Sequence, residues 1–509
     1  MPARPWWETA VFYQIYPRSF ADSDGDGIGD LEGLCSKLDY LQWLGVDAVW
    51  LSPMYPSPMA DFGYDVSDYC DVDPVFGSLA ELDRLIEDLH RRDMRLILDW
   101  VPNHTSDQHP WFVEARSSRG NAKRDWYIWH DGVPDEPPNN WLAAFGGRAW
   151  TWDEETEQWY LHLFLPEQPD LNWRNPELVS AMHDTLRFWL DRGVDGFRID
   201  VIHGLVKPLD LPDTPAELLP MPHAALNDEP ETHQVIRDLR TLLDMYPGDR
   251  MMVGEVFLLS NQKVATYYGD GDELHLAFNF TPLFARWDAG KWQRMVAKIE
   301  ELLGPRRAWP TWVLSNHDNS RQRSRLGGSE ARARAAAVLL LTMRGTPFLY
   351  MGEELGLLDL DVPPERQVDP GGRDRCRGPI PWDATPSHGW TAEPWLPMTP
   401  DAGVTNAETR RADEGSILHL YRRVLAARRA SPALRDGAID LLESSEGVLA
   451  YRRGADADGR TVVVNFTDEP RRANVEGTWV VELSSSGRSD GQPFAGNLEP
   501  DEAVILRPA

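Results

Sequence analysis

Leu96-Ile97-Leu98-Asp99-Trp100-Val101-Pro102-Asn103-His104 begins as a short apolar, β-rich run and ends in polar side chains. The same design recurs along the chain. Runs at 11–16, 48–52, 96–101, 196–199, 251–255, 276–280, 312–315 and 347–350 read as strands. Amphipathic segments at 79–92 and 178–192 read as helices, and Leu82, Leu85, Ile86 and Leu89 of the first recur at helical spacing. Strand–helix alternation carried through eight strands predicts a parallel (β/α)8 TIM barrel.

Several strands end as the third does. The fourth ends Arg198-Ile199-Asp200, the fifth Gly254-Glu255 and the seventh Ser315-Asn316-His317-Asp318. A single acid after a strand is usually a helix cap. Four polar endings on one barrel face converge instead on a pocket of carboxylates, histidines and an arginine. Barrel active sites lie on that face.

Such a pocket suits glycosidic cleavage, which needs a proton for the leaving oxygen and an anion beside the developing oxocarbenium ion. A retaining enzyme uses two carboxyl groups about 5–5.5 Å apart, one as nucleophile and one as acid and then base. Crowding by other carboxylates keeps the acid protonated near neutral pH. His104 and His317 lack the HExxH spacing of a catalytic zinc site.

The bulk composition sets the outer limits. The 509 residues exceed one ordinary domain, and 42% hydrophobic content supplies a large core. A charge of −30 with no basic stripe argues against nucleic-acid binding. No run approaches the roughly 20 apolar residues of a membrane helix, and the first residues lack a secretory h-region, so a cytoplasmic location is expected. Cys35, Cys70 and Cys376 form neither a disulfide framework nor a CxxC pattern. The 22 tryptophans are a weak hint toward sugar stacking.

A stretch of about 70 residues rich in Trp, Pro, Gly and Asp interrupts the alternation after strand three, long enough to be a functional loop or small domain. A second irregular stretch spans 357–409, and after a helix near 417–430 the pattern becomes short strands and turns. The expected organisation is a barrel from 1–104 and 172–430, an inserted subdomain at 105–171 over the active site, and a C-terminal β-sandwich at 431–509.

At the four strand ends the chain resembles the α-amylase superfamily of glycoside hydrolases, with all four motifs in order. The resemblance covers nearly the whole chain. It implies that Asp200 is the nucleophile, Glu255 the acid/base and Asp318 a third carboxylate gripping sugar hydroxyls. It places His104, His317 and Arg198 around the same ring, with Arg198 keeping Asp200 ionised. Asp61-Phe62-Gly63-Tyr64-Asp65 is similar to the family's second-strand loop and would supply Asp61 to hydroxyls and Tyr64 as a stacking platform. Arg373-Asp374-Arg375-Cys376-Arg377 resembles a motif whose last arginine, here Arg377, reaches the first sugar site. The usual continuation Thr-Pro-Met-Gln-Trp is replaced by Gly378-Pro379-Ile380-Pro381-Trp382.

Asp22-Ser23-Asp24-Gly25-Asp26-Gly27-Ile28-Gly29-Asp30 carries acids at alternate positions, as a hard cation requires. From the residues alone it reads equally as a cation site or an acidic Gly-rich turn. The superfamily's α-glucosidase branch has a similar loop that binds Ca2+, sometimes Mg2+. This implies a structural ion held by Asp22, Asp24, Asp26, Asp30 and the Ile28 carbonyl, with no organic cofactor.

Gln168-Pro169-Asp170-Leu171-Asn172 resembles the signature of the oligo-1,6-glucosidase subfamily. It implies an exo-acting α-glucosidase for short oligosaccharides, with Phe145, Phe164 and Gln168 lining the pocket. Valine after the nucleophile, here Val201, accompanies α-1,6 activity in that subfamily, and α-1,4 cleavage stays open. The expected partner is a small oligosaccharide, acted on by a monomer or weak homo-oligomer. One rival is a transglycosylase or a sucrose/trehalose isomerase on the same scaffold. Another is a non-catalytic, transport-associated relative, against which the presence of all three acids argues.

Overall fold

The structure is a computed structural model that describes residues 4–218, 228–258, 260–455 and 458–509. Eight parallel strands form one sheet: Phe12–Ile15, Ala48–Leu51, Arg95–Trp100, Gly196–Ile199, Met251–Gly254, Leu276–Ala277, Thr311–Val313 and Thr346–Tyr350. All eight expected strands are present. Their residues are almost entirely buried, as strands with helices outside and packed side chains inside must be. The sheet order runs from the seventh strand through the eighth and first to the sixth.

Among the described residues, only the sixth and seventh strands lack a backbone ladder between them, and side-chain hydroxyls bridge that seam. Thr311 Oγ1 donates to the Ala277 carbonyl (2.8 Å) and accepts from the Asn279 amide (3.0 Å). Tyr268 OH accepts from the Ala277 amide (3.1 Å) and donates to the Trp309 carbonyl (3.0 Å). The barrel thus closes without leaving an edge strand exposed.

The helices follow local chemistry. Leu79–Arg91 starts where Ser78 caps it, its hydroxyl accepting from the Glu81 amide and donating to the Glu81 carboxylate. Leu82, Leu85, Ile86 and Leu89 form its buried stripe. The helix expected at 178–192 runs Pro176–Asp191, because Asn175 caps two amides and Pro176 fits the first turn. Glu330–Thr342 is buried nearly all round, being clamped between the barrel and the C-terminal sheet.

Within 105–171, Trp129–Asp131, Gln158–Leu161 and Trp150–Asp153 form a three-stranded antiparallel sheet with Gln158–Leu161 central. Its core is Trp141, Ala149, Trp150, Trp159, Leu161 and Leu163. The loop after the fourth barrel strand packs on it: Trp141 Nε1 donates to the Pro212 carbonyl at 2.6 Å.

Residues 431–509 open on a helix, Pro432–Asp436, where Ser431 caps and Pro432 fits the first turn. A five-stranded antiparallel sheet and a two-stranded ribbon (Arg471–Arg472 with Asn497–Leu498) follow. Strand alternation splits the larger sheet: Leu449, Tyr451, Val462 and Val464 join the barrel's core. Val448, Ala450 and Val463 face a separate cluster shared with the ribbon. Among the described residues no helix is long and apolar enough to cross a membrane.

Candidate active site

The polar strand ends meet around Arg198. This buried guanidinium donates from Nη1 to Asp99 Oδ1 (2.7 Å) and Asp200 Oδ1 (2.6 Å), and from Nη2 to Glu255 Oε2 (2.6 Å). One side chain therefore fixes the ends of the third, fourth and fifth strands. Burial pushes the Asp99 carboxyl up to about 6 against the opposing charge of Arg198. Burial also raises Asp200, opposed by Arg198 and assisted by the nearby charges of Glu255 and Asp99.

Val201, immediately after Asp200, has φ 43° and ψ 36°, a left-handed conformation that a β-branched residue rarely adopts. It turns the Val201 amide toward Glu255 Oε2 at 3.2 Å. Such strain persists only where the surroundings over-determine it.

Tyr64 and His317 stack with an interplanar angle of 4°, and Tyr64 OH lies 2.5 Å from His317 Nε2. The same hydroxyl donates to Asp99 Oδ2 at 3.0 Å. The Gln14 amide holds the other ring nitrogen at 2.7 Å. Burial lowers His317 to about 3 and His104 to about 4, so both rings are neutral near pH 7. Asp318 behaves oppositely: although burial opposes it, His317, Arg373 and Arg377 hold its carboxyl well below the usual range.

His104 lies between the Asn103 amide (3.1 Å) and the Gln168 amide (3.0 Å), and Gln168 Nε2 also donates to Asp61 Oδ2 at 3.0 Å. The Gln168–Asn172 segment thus crosses from the insertion to the barrel mouth. Phe164 stands 5.0 Å from the His104 ring, and Phe145 lies 5.0 Å from the Arg373 guanidinium.

These groups surround a cavity of about 260 Å³. Asp61, Tyr64, His104, Phe145, Phe164, Asp200, Val201, Glu255 and Asp318 line it, all expected from the sequence. Arg198, His317 and Gln168 stand one layer behind and bond to the lining. Arg377 is fully buried in that layer as well, bonded to Asp318 (3.2 Å), Asp369 (3.0 Å) and the His317 carbonyl (2.8 Å).

The arginine that reaches the cavity is Arg373, four residues earlier, which bonds Asp61, Asp318 and Asp369. The sequence does not single out Arg373, because an irregular loop has no period to say which arginine points inward. Phe257, Phe280, Phe284, Asn316 and Asn319 complete the lining. The three phenylalanines carry no sequence signal, since aromatics after strands are usually core.

The acidic loop lies apart from this cavity. Asp22, Asp24 and Asp30 each present an oxygen within 4.8 Å of the others. Asp26 is outside this trio, one oxygen accepting from the Ile28 amide at 2.7 Å. Gly25 and Gly27 hold φ of 90° and 85°, and a Cβ on Gly27 would meet the Glu393 carbonyl oxygen at 2.2 Å.

The family model of the α-amylase catalytic domain matches residues 14–437. The chain belongs to the α-amylase family, whose relatives here are named glucosidases and hydrolases. It is similar to a probable alpha-glucosidase of Rhizobium meliloti (strain 1021), 42% identical over 92% of this chain and 90% of that one. The oligo-1,6-glucosidase of Parageobacillus thermoglucosidasius is 37% identical over 92% and 91%. Among solved structures, the alpha-glucosyl transfer enzyme XgtA superposes with a TM-score of 0.92 at 41% identity, covering 99% of each chain.

Proposed function

We propose that the protein is an exo-acting retaining α-glucosidase that releases glucose from the non-reducing end of short α-glucosides. The observation that carries this is the single guanidinium of Arg198 binding both Asp200 and Glu255 at the floor of a small cavity. Asp200 attacks the anomeric carbon while Glu255 gives its proton to the leaving oxygen. Glu255 then takes a proton from water, which displaces Asp200 and restores the starting state. The mechanism needs the proton on Glu255 and the charge on Asp200, and Arg198 favours the latter against the effect of burial.

Asp61, Asp318 and Arg373 face the cavity together as alternating charges and would grip one sugar's hydroxyls. Neutral His104 faces the same sugar, and Tyr64 offers its ring, held in place by His317 behind it. A cavity closed by Arg373, Phe145 and Phe164 leaves room for one glucosyl unit, which favours exo action. Asp200→Asn should lower kcat by at least about 10⁴-fold with the fold intact. NMR of the first product should show α-glucose; β-glucose would overturn the retaining mechanism.

Glucosyl transfer is the second reading, favoured by the aromatic residues Phe257, Phe280 and Phe284 beside Glu255. An apolar wall there disfavours water and favours another acceptor for the glucosyl-enzyme. Product analysis after incubation with maltose, sucrose and trehalose separates transfer or isomerisation from hydrolysis.

We also propose a structural Ca2+, or Mg2+, at the acidic loop. Asp22, Asp24 and Asp30 fit a hard cation in donor type and mutual spacing. Asp26 and the Ile28 carbonyl would complete the set, with Asp26 turning from its contact to the Ile28 amide. The ion would neutralise mutually repelling acids and take no part in catalysis. A charge of −30 opposes self-association and supports a monomer, and three free thiols support a reducing cytoplasm.

A further inference from the structure

Another cavity of about 260 Å³ opens on the barrel face opposite the catalytic one, where the first three strands begin at Val11, Asp47 and Arg95. Leu425, Arg428 and Arg429 of helix Ile417–Ala430 and Arg435 of Pro432–Asp436 close one side of it. Trp6, Thr9, Ala10, Gly45 and Asp93 complete the lining. Four arginines and two aspartates thus meet here, in a chain whose acids outnumber its Lys and Arg by 81 to 51.

The aspartates do not neutralise the four cations. Asp47 is engaged, Oδ1 accepting from Arg429 Nη2 at 2.7 Å and Oδ2 from the Val11 amide at 2.9 Å. Asp93 is exposed and forms no ion pair among the described residues. Arg95 comes no nearer to a carboxylate than 3.8 Å, at Asp195, which already accepts from Arg250 and the Leu96 amide and bonds to His90. Arg435 comes no nearer than 3.9 Å, at Asp436, and its Nε is buried without a partner. Neither guanidinium makes a hydrogen bond among the described residues.

Arg428 is 2% exposed and donates only to carbonyls, those of Leu341, Met343, Gly345, Leu434 and Arg435. A buried cation without a counter-ion is costly, and burial draws Arg428 down to about 10. Basic residues at helix C-terminal ends offset the dipole, which accounts for Arg428, Arg429 and Arg435 singly. It accounts neither for Arg95 nor for four cations around one void.

We propose that this cavity is an anion site that takes a phosphate group, free or carried by a small metabolite. Guanidinium groups present paired N–H donors that match phosphate oxygens. Arg95 and Arg435 supply the unused donors, and Arg428 adds charge behind them. The walls at Trp6, Ala10, Val11 and Leu425 leave an apolar surface for a small organic group attached to the phosphate. The charge of −30 repels anions at long range, but salt screens it beyond roughly 8 Å, so the local arginines decide. A bound phosphate would tie the start of the third strand to the two helices that lead into the C-terminal sheet. The site shares no residue with the catalytic cavity and stands apart from the glucosidase reading.

Isothermal titration calorimetry of the full chain with inorganic phosphate, at ionic strength matched with chloride, tests this. One phosphate per chain is expected, with a rise in Tm of about 1–3 °C near saturation. Arg95→Gln and Arg435→Gln should each weaken binding by about tenfold. Asp93→Asn should tighten it several-fold, a gain that misfolding cannot produce. Circular dichroism spectra of all three variants should match the parent's. Titration with glucose 6-phosphate and glycerol 3-phosphate separates the two sources: tighter binding than inorganic phosphate marks a metabolite, and equal or weaker binding marks the free ion. No heat and no change in Tm up to about 20 mM phosphate overturns the proposal. Affinity unchanged by both arginine substitutions overturns the assignment to this cavity.

Discussion

Lys207 Nζ lies 2.7 Å from Asp170 Oδ2, and both groups are buried. The pair joins the loop after the fourth barrel strand to the Gln168–Asn172 segment. Lys207 also donates to Asn103 Oδ1 at 2.7 Å, and Asn103 in turn faces His104. A charge pair far from solvent thus holds one wall of the catalytic cavity in register with its floor.

Breaking that pair from one side leaves Asp170 buried and uncompensated. Lys207→Met should therefore lower unfolding free energy by about 3–5 kcal/mol, measured by urea denaturation. It should also reduce kcat/KM, because His104 and Gln168 lose their common support. A variant as stable as the parent would show that Asp170 finds another partner.

Glu353 gives a pH test with a definite sign. It is fully buried after the eighth strand, accepts from Tyr421 OH at 2.8 Å, and burial pushes its carboxyl up to about 7. In the unfolded chain it ionises near 4.5, so between those values only the folded state keeps the proton. Its contribution to stability is thus present below about pH 4.5 and is lost as pH rises toward 7. Glu353→Gln should gain stability relative to the parent across that window, by about 3 kcal/mol at pH 7. A difference independent of pH would show that Glu353 is ionised in the fold.

Removal of a divalent cation should act on stability and spare the chemistry. Chelation should lower Tm by several degrees, and Asp24→Ala should lower it equally and abolish the response to chelator. Below the new Tm, kcat should be unchanged. An unchanged melt with no ion found by elemental analysis would remove the cation from the loop.

Val201 combines a strained backbone, an amide aimed at Glu255 and a side chain in the cavity wall. Val201→Thr keeps the branched shape and adds a hydroxyl on the substrate side. It should shift the ratio of kcat/KM values toward maltose over isomaltose by several-fold. Equal ratios before and after would separate this position from linkage choice.

The sequence by itself determined the barrel, because strands buried on both faces and helices with one apolar stripe leave periodic marks. It also determined nine of the cavity-lining residues, since the ends of parallel barrel strands must share one face. Only the tertiary structure decided that Arg373 reaches the cavity while Arg377 stands behind it. They sit in a loop without periodicity, where long-range bonds to Asp61 and Asp318 set the direction. It alone brought Lys207 to Asp170, paired the seam strands through Thr311 and Tyr268, and left Phe257 and Phe284 exposed beside Glu255. In each case the deciding partner lies far along the chain. Local chemistry specifies what an element is, and packing specifies what it meets.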